Sequence, residues 1–226
     1  MKQDQTNKFV HIEKLREKTN RPLLIVSNGP SNNLFDARRV PENPVIFRMN
    51  MFFLEQQLIF GRQVDAYFSS IYRRTLLCGL ETSLALNRYD IDLFFRVPNI
   101  FEKALPLLHK KCVSQAKLFQ PSAWHWDLFE SYPSLSEYFK TRPLGGLPTT
   151  GLQSLAVALA LGFKDIYLTG FDFYHDLITT DSSPYDSRYY FATPPFIKDA
   201  TADTHIKGGY ETTAHSRAID LHFYRM

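Results

Sequence analysis

The stretch from Thr150 to Thr169 constrains the fold of this chain more than any other part of the sequence. Apolar residues recur in it at helical spacing, at Leu152, Leu155, Ala156 and Leu159. Gly162 stands where a helix often ends on a left-handed residue, and Thr149 or Thr150 can cap the other end. The segment 165–169 follows at once and predicts a buried strand. A helix that passes directly into a buried strand is typical of α/β proteins with a largely parallel sheet.

The rest of the chain continues this alternation. Short apolar runs predict strands at 23–26, 45–48, 64–69, 92–95 and 116–119. Helical patterning predicts helices at 72–86, 101–111 and 214–224. Residues 171–211 lose the apolar periodicity and are rich in Tyr, Ser, Thr, Asp and Pro, which predicts a flexible lid at about 175–211. We therefore predict a single α/β domain over residues 1–226, with a mostly parallel sheet and this lid.

Charge and cysteine content exclude several classes of protein. The 226 residues suit one domain, and a net charge of +3, from 26 basic and 23 acidic residues, is too small and too evenly spread for a nucleic-acid partner. Cys78 and Cys112 lack the spacing of metal ligands, so we interpret them as buried thiols in a reducing compartment. The first twenty residues carry no apolar signal core, and no apolar run is long enough to cross a bilayer. A cytoplasmic protein is expected.

Two segments follow strands at the end of the sheet where parallel α/β proteins bind ligands. Residues 28–31 (Asn-Gly-Pro-Ser) follow the first strand, and Gly29 lets the backbone approach a phosphate closely. They are not a dinucleotide fingerprint, and a plain β-turn explains them equally well. In 170–174, the carboxylate of Asp172 can hold a ribose or a base edge, and the hydroxyl of Tyr174 can bind an anion. A loop with aromatic anchors is the alternative there.

A histidine and an Asp-x-Asp pair are the remaining candidates for chemistry. His215 falls in the first turn of the last predicted helix, where the helix dipole favours the neutral imidazole that a general base must be. A surface or capping role is the competing interpretation of a lone histidine. Asp90 and Asp92 have the spacing of a divalent-metal site, but they enter an apolar strand instead of leaving one, so we do not assign a metal to them.

Together these segments resemble the bacterial sialyltransferases of glycosyltransferase family 42, which build lipooligosaccharide. The resemblance runs from about Leu23 to the last residue and is strongest from Thr149 to Tyr174. The other matching blocks are residues 28–31, 47–50 (Phe-Arg-Met-Asn) and 215–216 (His-Ser). The resemblance implies a single Rossmann-like nucleotide-binding domain with a lid, a CMP-sialic acid donor, a glycan or lipooligosaccharide acceptor, and no metal or other cofactor.

The resemblance also implies a role for each matching residue. The implied donor-binding residues are Asn28, Gly29 and Ser31 at the nucleotide and its phosphate, Asn50 at the donor, Thr149, Thr150 and Gly151 at the cytidine and sugar, and Gly170, Phe171 and Asp172 at the ribose and base. His215 is implied as the general base, and Tyr174 as the first of two tyrosines on the leaving phosphate. For the second, in the lid, we choose Tyr185, with Tyr189 and Tyr190 as rivals.

This set of residues implies an inverting reaction without a metal. Two hydroxyl groups can stabilise the single phosphate of CMP without a cation. The base would take the acceptor proton while the acceptor attacks the anomeric centre from the face opposite the phosphate.

Three features depart from the family pattern. Leu147 stands where the family commonly has an arginine, and we name Arg142 or Arg188 as substitutes. Ser70 stands where the family has a second asparagine that contacts the donor. The chain stops at Met226, where the family usually continues with a strand, helices and a basic membrane-associating tail, so either a truncated or a minimal member is expected. Peripheral membrane attachment and self-association are left open.

These departures leave two alternatives to sialyl transfer. One is the transfer of another CMP-activated acid such as Kdo, which a changed sugar pocket would fit. The other is a non-catalytic nucleotide-binding relative, which is disfavoured because His215 and Tyr174 are both present.

Overall fold

The computed structural model describes residues 10–55, 57–69, 80, 82–96, 126–144, 146–172 and 217–226. Seven strands lie in this part of the chain: β1 (Leu23–Val26), β2 (Val45–Met49), β3 (Gln63–Val64), β4 (Ala66–Ser69), β5 (Asp90–Ile91), β6 (Phe94–Arg96) and β7 (Ile166–Thr169). Five of them form the main sheet in the order β6-β4-β2-β1-β7, and β3 pairs with β5 separately. All the described pairings are parallel, as predicted.

Four α-helices with defined bounds accompany the sheet: α1 (Val10–Arg16), α2 (Pro133–Thr141), α3 (Thr150–Leu161) and α4 (Arg217–Tyr224). The predicted α3 is confirmed, and Gly162 ends it with φ +94°. Thr149 occupies the N-cap position, but its side chain does not cap α3. Leu159, predicted on the buried stripe, is 39% exposed. The sequence did not predict α1 and α2, because both are short and carry few buried apolar residues.

Two predicted strands have different boundaries in the structure. The predicted strand 64–69 is divided at Asp65, which separates β3 from β4. The carboxylate of Asp65 is buried and accepts hydrogen bonds from Ile46 N at 2.8 Å and Lys18 Nζ at 2.6 Å. The predicted strand 92–95 begins only at Phe94. Asp92 N donates to Val64 O at 2.9 Å, and the Asp92 side chain accepts from Lys18 Nζ at 3.0 Å. In both places the aspartate at the boundary binds the distant Lys18, which periodicity alone does not reveal.

The other predicted elements are described in part or not at all. Residues 82–85 are helical, inside the predicted helix 72–86. Residues 217–224 are helical, inside the predicted helix 214–224, and residues 214–216 lie outside the described part. The predicted helix 101–111, strand 116–119 and lid 175–211 lie outside the described residues. Within the described part, no helix is long and apolar enough to span a membrane.

Both faces of the inner strands β1, β2 and β4 are buried, as is usual for parallel sheets. The segment 165–169 was predicted to be a buried strand, but β7 lies at the edge of the sheet, with Tyr167 44% and Leu168 37% exposed. Alternate residues of β1 enter two separate apolar clusters: Leu23 and Ile25 pack on the side of the four helices, and Leu24 and Val26 on the other side.

The second cluster surrounds a buried ion pair between Arg48 and Glu55, with Nη2–Oε2 at 2.9 Å. Arg48 can remain charged in the interior because Glu55 pairs with it and because its guanidinium lies over the rings of Phe52 and Phe60.

The strand order locates the crevice where this architecture binds ligands. From β1, the strands β2, β4 and β6 extend in one direction and β7 lies in the other, so the order reverses between β1 and β7. In open α/β sheets, ligands bind beyond the carboxyl ends of the strands at this switch point. The loops after β1 and β7 meet there, beginning at Ser27 and Gly170.

Candidate active site

The loop after β1 lies directly against the loop after β7. Gly29 N donates to Gly170 O at 3.1 Å, and Ser31 N donates to Asp172 Oδ2 at 3.0 Å. A Cβ atom on Gly29 would lie 2.1 Å from that carboxylate oxygen and 2.5 Å from Gly170 O. Gly29 has an ordinary φ of −68°, so the close approach of Asp172 is what requires a glycine at this position.

Asn32 forms hydrogen bonds to the start of the first loop and to the end of β7. It was not identified as a site residue from the sequence. Its side chain is buried, donates to Ser27 O at 2.6 Å and accepts from Thr169 Oγ1 at 2.6 Å. Gly170 follows with φ +71°, and a Cβ atom there would lie 2.6 Å from both Asn32 Nδ2 and Ser27 O. The asparagine therefore sets the separation of the two strand ends. The only hint in the sequence was an asparagine just after a predicted turn, and asparagine is common in loops of many kinds.

Asn50 directly follows β2, and its side chain joins this end of the strand to the start of α3. Its φ is +47°, a left-handed conformation that asparagine tolerates better than most residues. Its Nδ2 donates to Thr150 Oγ1 at 3.2 Å, and its carbonyl accepts from Tyr67 Oη at 2.7 Å. Burial raises the pKa of Tyr67, so this hydroxyl stays protonated and acts as a donor. Tyr67 therefore supports Asn50 from the neighbouring strand β4.

The first turn of α3 packs against both of these regions. A Cβ atom on Gly151 would lie 2.8 Å from the ring of Phe171 and 3.2 Å from Met49 Sδ. Thr149 N donates to Asp220 Oδ1, on α4, at 2.8 Å. The first turn of a helix leaves N–H groups without helical partners, and such a terminus favours an anion. The site thus combines this terminus with the amide and carboxylate groups at the strand ends.

Asn28 brings a free acceptor into the buried part of the site. Its Nδ2 donates to Met49 O at 3.0 Å, and the residue is 6% exposed. Its Oδ1 is buried and has no hydrogen-bond partner within the described structure. A buried oxygen without a donor costs about 1–3 kcal/mol, which a ligand that donates to it would recover.

Ten of the predicted site residues fall in the described structure, and they form two groups that touch. The first group contains Asn28, Gly29, Ser31, Gly170 and Asp172, and the second contains Asn50, Thr149, Thr150, Gly151 and Phe171. Asn28 links the groups through Met49, the neighbour of Asn50. The other four, Ser70, Tyr174, Tyr185 and His215, lie outside the described residues, as do the alternatives Tyr189 and Tyr190.

The sequence matches one protein family over nearly its whole length. The family described as alpha-2,3-sialyltransferase (CST-I) matches residues 21–224. This chain belongs to the CST-I alpha-2,3-sialyltransferase family. It is therefore a glycosyltransferase, as the resemblance implied. No curated protein matches the chain significantly.

Solved structures of sialyltransferases share the fold. Cst-I from Campylobacter jejuni, described as a monofunctional alpha-2,3-sialyltransferase, aligns with a TM-score of 0.63 and 25% identity, covering 91% of this chain and 71% of that one. CstII from Campylobacter jejuni with the substrate analogue CMP-3FNeuAc aligns at 0.66 and 23%, covering 91% and 76%. CST-II with a trisaccharide acceptor and CMP aligns at 0.62 and 23%, covering 89% and 75%.

The structure explains one departure from the family pattern, the leucine at position 147. Leu147, at the position where family members commonly have an arginine, is 2% exposed and belongs to the apolar cluster on the helical side of the sheet. In this sialyltransferase the position therefore contributes to packing. Of the two proposed substitutes, Arg142 ends α2 with a left-handed φ of +49°, and Arg188 lies outside the described residues.

The acidic pair Asp90 and Asp92 is engaged with basic side chains. Asp90 Oδ2 lies 3.7 Å from Arg62 Nη2, and Asp92 Oδ2 lies 3.0 Å from Lys18 Nζ. In the part of the chain that the structure describes, no three or more His, Cys, Asp and Glu residues form a group that could hold a metal ion.

Asp220 is the second residue that sequence reasoning missed. Its carboxylate is 2% exposed, and burial raises its pKa to about 7 despite the hydrogen bonds that it receives from the backbone and side chain of Thr149. In the sequence it looks like an ordinary acidic residue in the first turn of a helix, where the helix dipole favours it. Only the packing of α4 on α3 distinguishes it.

Proposed function

We propose that this sialyltransferase transfers sialic acid from CMP-sialic acid to a hydroxyl group of a glycan, with inversion at the anomeric centre and without a metal. The observation that carries the proposal is the meeting of the loops after β1 and β7 with the first turn of α3 at the switch point of the sheet. That is where an open α/β sheet binds a nucleotide. Family members crystallised with CMP and with CMP-3FNeuAc support CMP as the nucleotide here.

The described residues offer chemistry that suits this donor. The open Oδ1 of buried Asn28 accepts from an amine or hydroxyl group of the nucleotide. The positive end of the α3 dipole favours an anion, which the phosphate or the sugar carboxylate supplies. The small residues Gly29 and Gly151 keep the backbone close to Asp172 and Phe171, so that the loops form one surface.

In this proposal the bond changes are simple. The acceptor oxygen attacks the anomeric carbon while the bond from that carbon to the phosphate oxygen breaks, and CMP leaves. His215 takes the acceptor proton, and the hydroxyls of Tyr174 and Tyr185 donate to the departing phosphate. A single phosphate develops less charge than a diphosphate does, and hydroxyl donors can stabilise it without a metal.

The test is a transfer assay with CMP-sialic acid and a panel of labelled oligosaccharides, in the presence of EDTA. We expect CMP to be released and one acceptor to gain the mass of one sialic acid. The rate of this transfer should be the same with and without EDTA. A donor that stays intact with every acceptor, or a strict requirement for manganese or magnesium, would contradict the proposal.

A second candidate donor is another CMP-activated acid, such as CMP-Kdo. The observation that favours it is Leu147, which is packed in the core where family members commonly place an arginine. The same assay with CMP-Kdo at matched concentration separates the two donors. A kcat/KM for CMP-Kdo above that for CMP-sialic acid would replace the sugar but keep the nucleotide.

A further inference from the structure

Asp220 is a buried carboxylate to which the proposed reaction gives no role. It lies on α4 and is 2% exposed. In the described part of the chain, no basic side chain forms an ion pair with it. Burial of a carboxylate without a cation is costly unless hydrogen bonds compensate for the lost water. The partners of this carboxylate therefore identify what it stabilises.

Both hydrogen bonds to the carboxylate come from Thr149. The backbone N donates to Oδ1 at 2.8 Å, and the threonine side chain forms the second bond. Thr149 is the N-cap of α3, yet its side chain does not bond to its own helix. The neighbouring helix α4 thus provides the acceptor at the start of α3.

The same end of α3 carries the residues that face the candidate donor site. Thr150 is bonded to Asn50 at the end of β2, and Gly151 packs against Phe171 just after β7. We propose that Asp220 is a positioning residue for donor binding, because it holds the first turn of α3 against the ends of β2 and β7. This inference rests on the proposed function, which assigns the donor to that surface.

Apolar contacts also hold α4, together with a hydrogen bond of 3.5 Å that Tyr138 Oη donates to Ile219 O. The ring of Phe223 lies 5.0 Å from that of Tyr138 and 5.6 Å from that of Phe139, both on α2. Apolar contacts are non-directional and allow a helix to slide or turn by small amounts. A carboxylate bonded to a backbone N–H has a preferred distance and direction, so it sets the position of α3 relative to α4.

The test compares a nearly isosteric substitution with one that removes the acceptor. Asp220→Asn keeps an oxygen that can accept from Thr149 N, and Asp220→Leu removes the acceptor. We expect Asp220→Leu to weaken the binding of CMP, measured by calorimetry well below the Tm, by about tenfold or more, because the partly buried N–H of Thr149 loses its acceptor. Asp220→Asn should stay within about threefold of the wild type. The same two changes at the exposed Asp165 are the control and should leave the affinity unchanged.

Amide exchange at Thr149 provides a readout that does not depend on the ligand. Exchange of this N–H should accelerate by about tenfold or more in Asp220→Leu and remain slow in Asp220→Asn. If Asp220→Leu does not fold, Asp220→Ser replaces it, since a serine side chain is shorter and admits water. Wild-type affinity in the folded Leu or Ser variant, or equal weakening by Asn and Leu, overturns the inference. A wild type that fails to bind CMP overturns the proposed function instead, and the exchange at Thr149 then still decides whether Asp220 holds α3.

Discussion

At the scale of single residues, Gly29 has less room for a side chain than the other described glycines, because an added Cβ would lie 2.1 Å from Asp172 Oδ2. Any side chain at position 29 meets a carboxylate and a carbonyl oxygen, and neither can move without disturbing β7 or the hydrogen bond to Ser31. This restriction is local, and it is independent of the backbone angles of Gly29. Substitutions at this position therefore test the geometry of the site directly.

We expect Gly29→Ala to lower the free energy of unfolding by about 1–3 kcal/mol, because the added methyl group overpacks the contact. The affinity for CMP should fall as well, because Asp172 must move. Gly61→Ala is the matched control: Gly61 has φ +78°, and no described atom lies within 4 Å of the point that an added Cβ would occupy, so only strain of about 1 kcal/mol is expected. Urea denaturation and calorimetry with CMP measure both effects. Equal CMP affinity in the two variants would speak against a donor site at Gly29.

Because the pKa of Asp220 is raised, we expect the free energy of unfolding to depend on pH in a specific way. This pKa rises on folding from 3.8 to about 7, mainly by burial, and burial together with the charge of Asp220 raises the pKa of Tyr138 on α2. Between these two values the folded protein retains a proton that the unfolded chain has released. The stability contributed by the protonated carboxyl is therefore complete below pH 4 and is lost as the pH rises through 7.

Asp220→Asn removes this titration and makes the effect measurable. The free energy of unfolding of the wild type, relative to this variant, should fall by up to about 1.4 kcal/mol per pH unit between about pH 4 and pH 7, then level off. Urea denaturation of both proteins at pH 5, 6, 7 and 8 provides the comparison. A constant difference across this series would show that the carboxylate is ionised throughout.

The prediction for catalysis concerns His215, the proposed general base. His215→Ala should reduce the single-turnover rate by about 10²–10⁴-fold, the usual contribution of a positioned base, with little change in donor affinity. The acidic limb of the pH profile, at or below about 6.5, should disappear in this variant and persist in Tyr174→Phe, which slows the departure of the phosphate instead. His222→Ala, at an exposed histidine of α4, is the control and should behave as the wild type. A normal rate and an unchanged acidic limb in His215→Ala would mean that another group is the base.

At the scale of elements, the site depends on how the ends of β1 and β7 are held together. Ser27 N donates to Thr169 O at 2.9 Å and Gly29 N to Gly170 O at 3.1 Å, which extends the ladder between the strands into the loops. Asn32 closes this extension from the side. The two loops therefore act as one unit as long as Asn32 is present.

Asn32→Ala should lower the free energy of unfolding by about 1–2 kcal/mol, because two half-buried polar groups, Ser27 O and Thr169 Oγ1, lose this partner. The amides of Ser27 and Gly29 should also exchange faster, while the centre of β1 stays protected. Asn33→Ala changes an exposed neighbour and serves as the control. Native-state hydrogen exchange resolves these amides, and equal protection in the two variants would contradict the role given to Asn32.

At the scale of the whole molecule, we expect the folded protein to bind one nucleotide, CMP, at the switch point of the sheet. CMP at about 100 times its Kd should stabilise the protein by about 2.7 kcal/mol, since only the folded state binds it. EDTA should leave this gain unchanged. Thermal unfolding with CMP, CDP and UDP, each with and without manganese, measures the preference. Stabilisation by UDP with manganese but not by CMP would contradict the proposed donor.

The sequence by itself determined the features that depend on neighbours along the chain. The apolar run of β1, the helix α3 and its end at Gly162 all follow from periodicity and backbone preference within a few residues. The parallel sheet and the loops that follow its strands were predicted for the same reason. The order of the motifs at those loops was enough to indicate the family, which the match over residues 21–224 confirms.

Only the tertiary structure decided which side chains hold these loops in place. Asp65 lies where one predicted strand divides, and a lysine 47 residues earlier in the chain binds its carboxylate. Asn32 and Thr169 are 137 positions apart, and Thr149 and Asp220 are 71 apart. Hydrogen bonds between such distant residues leave no periodic trace in the sequence, because either partner alone is an ordinary polar residue of a loop or a helix end. They become recognisable only when the sheet and helices bring both partners into a buried environment, where an unpaired polar group is costly.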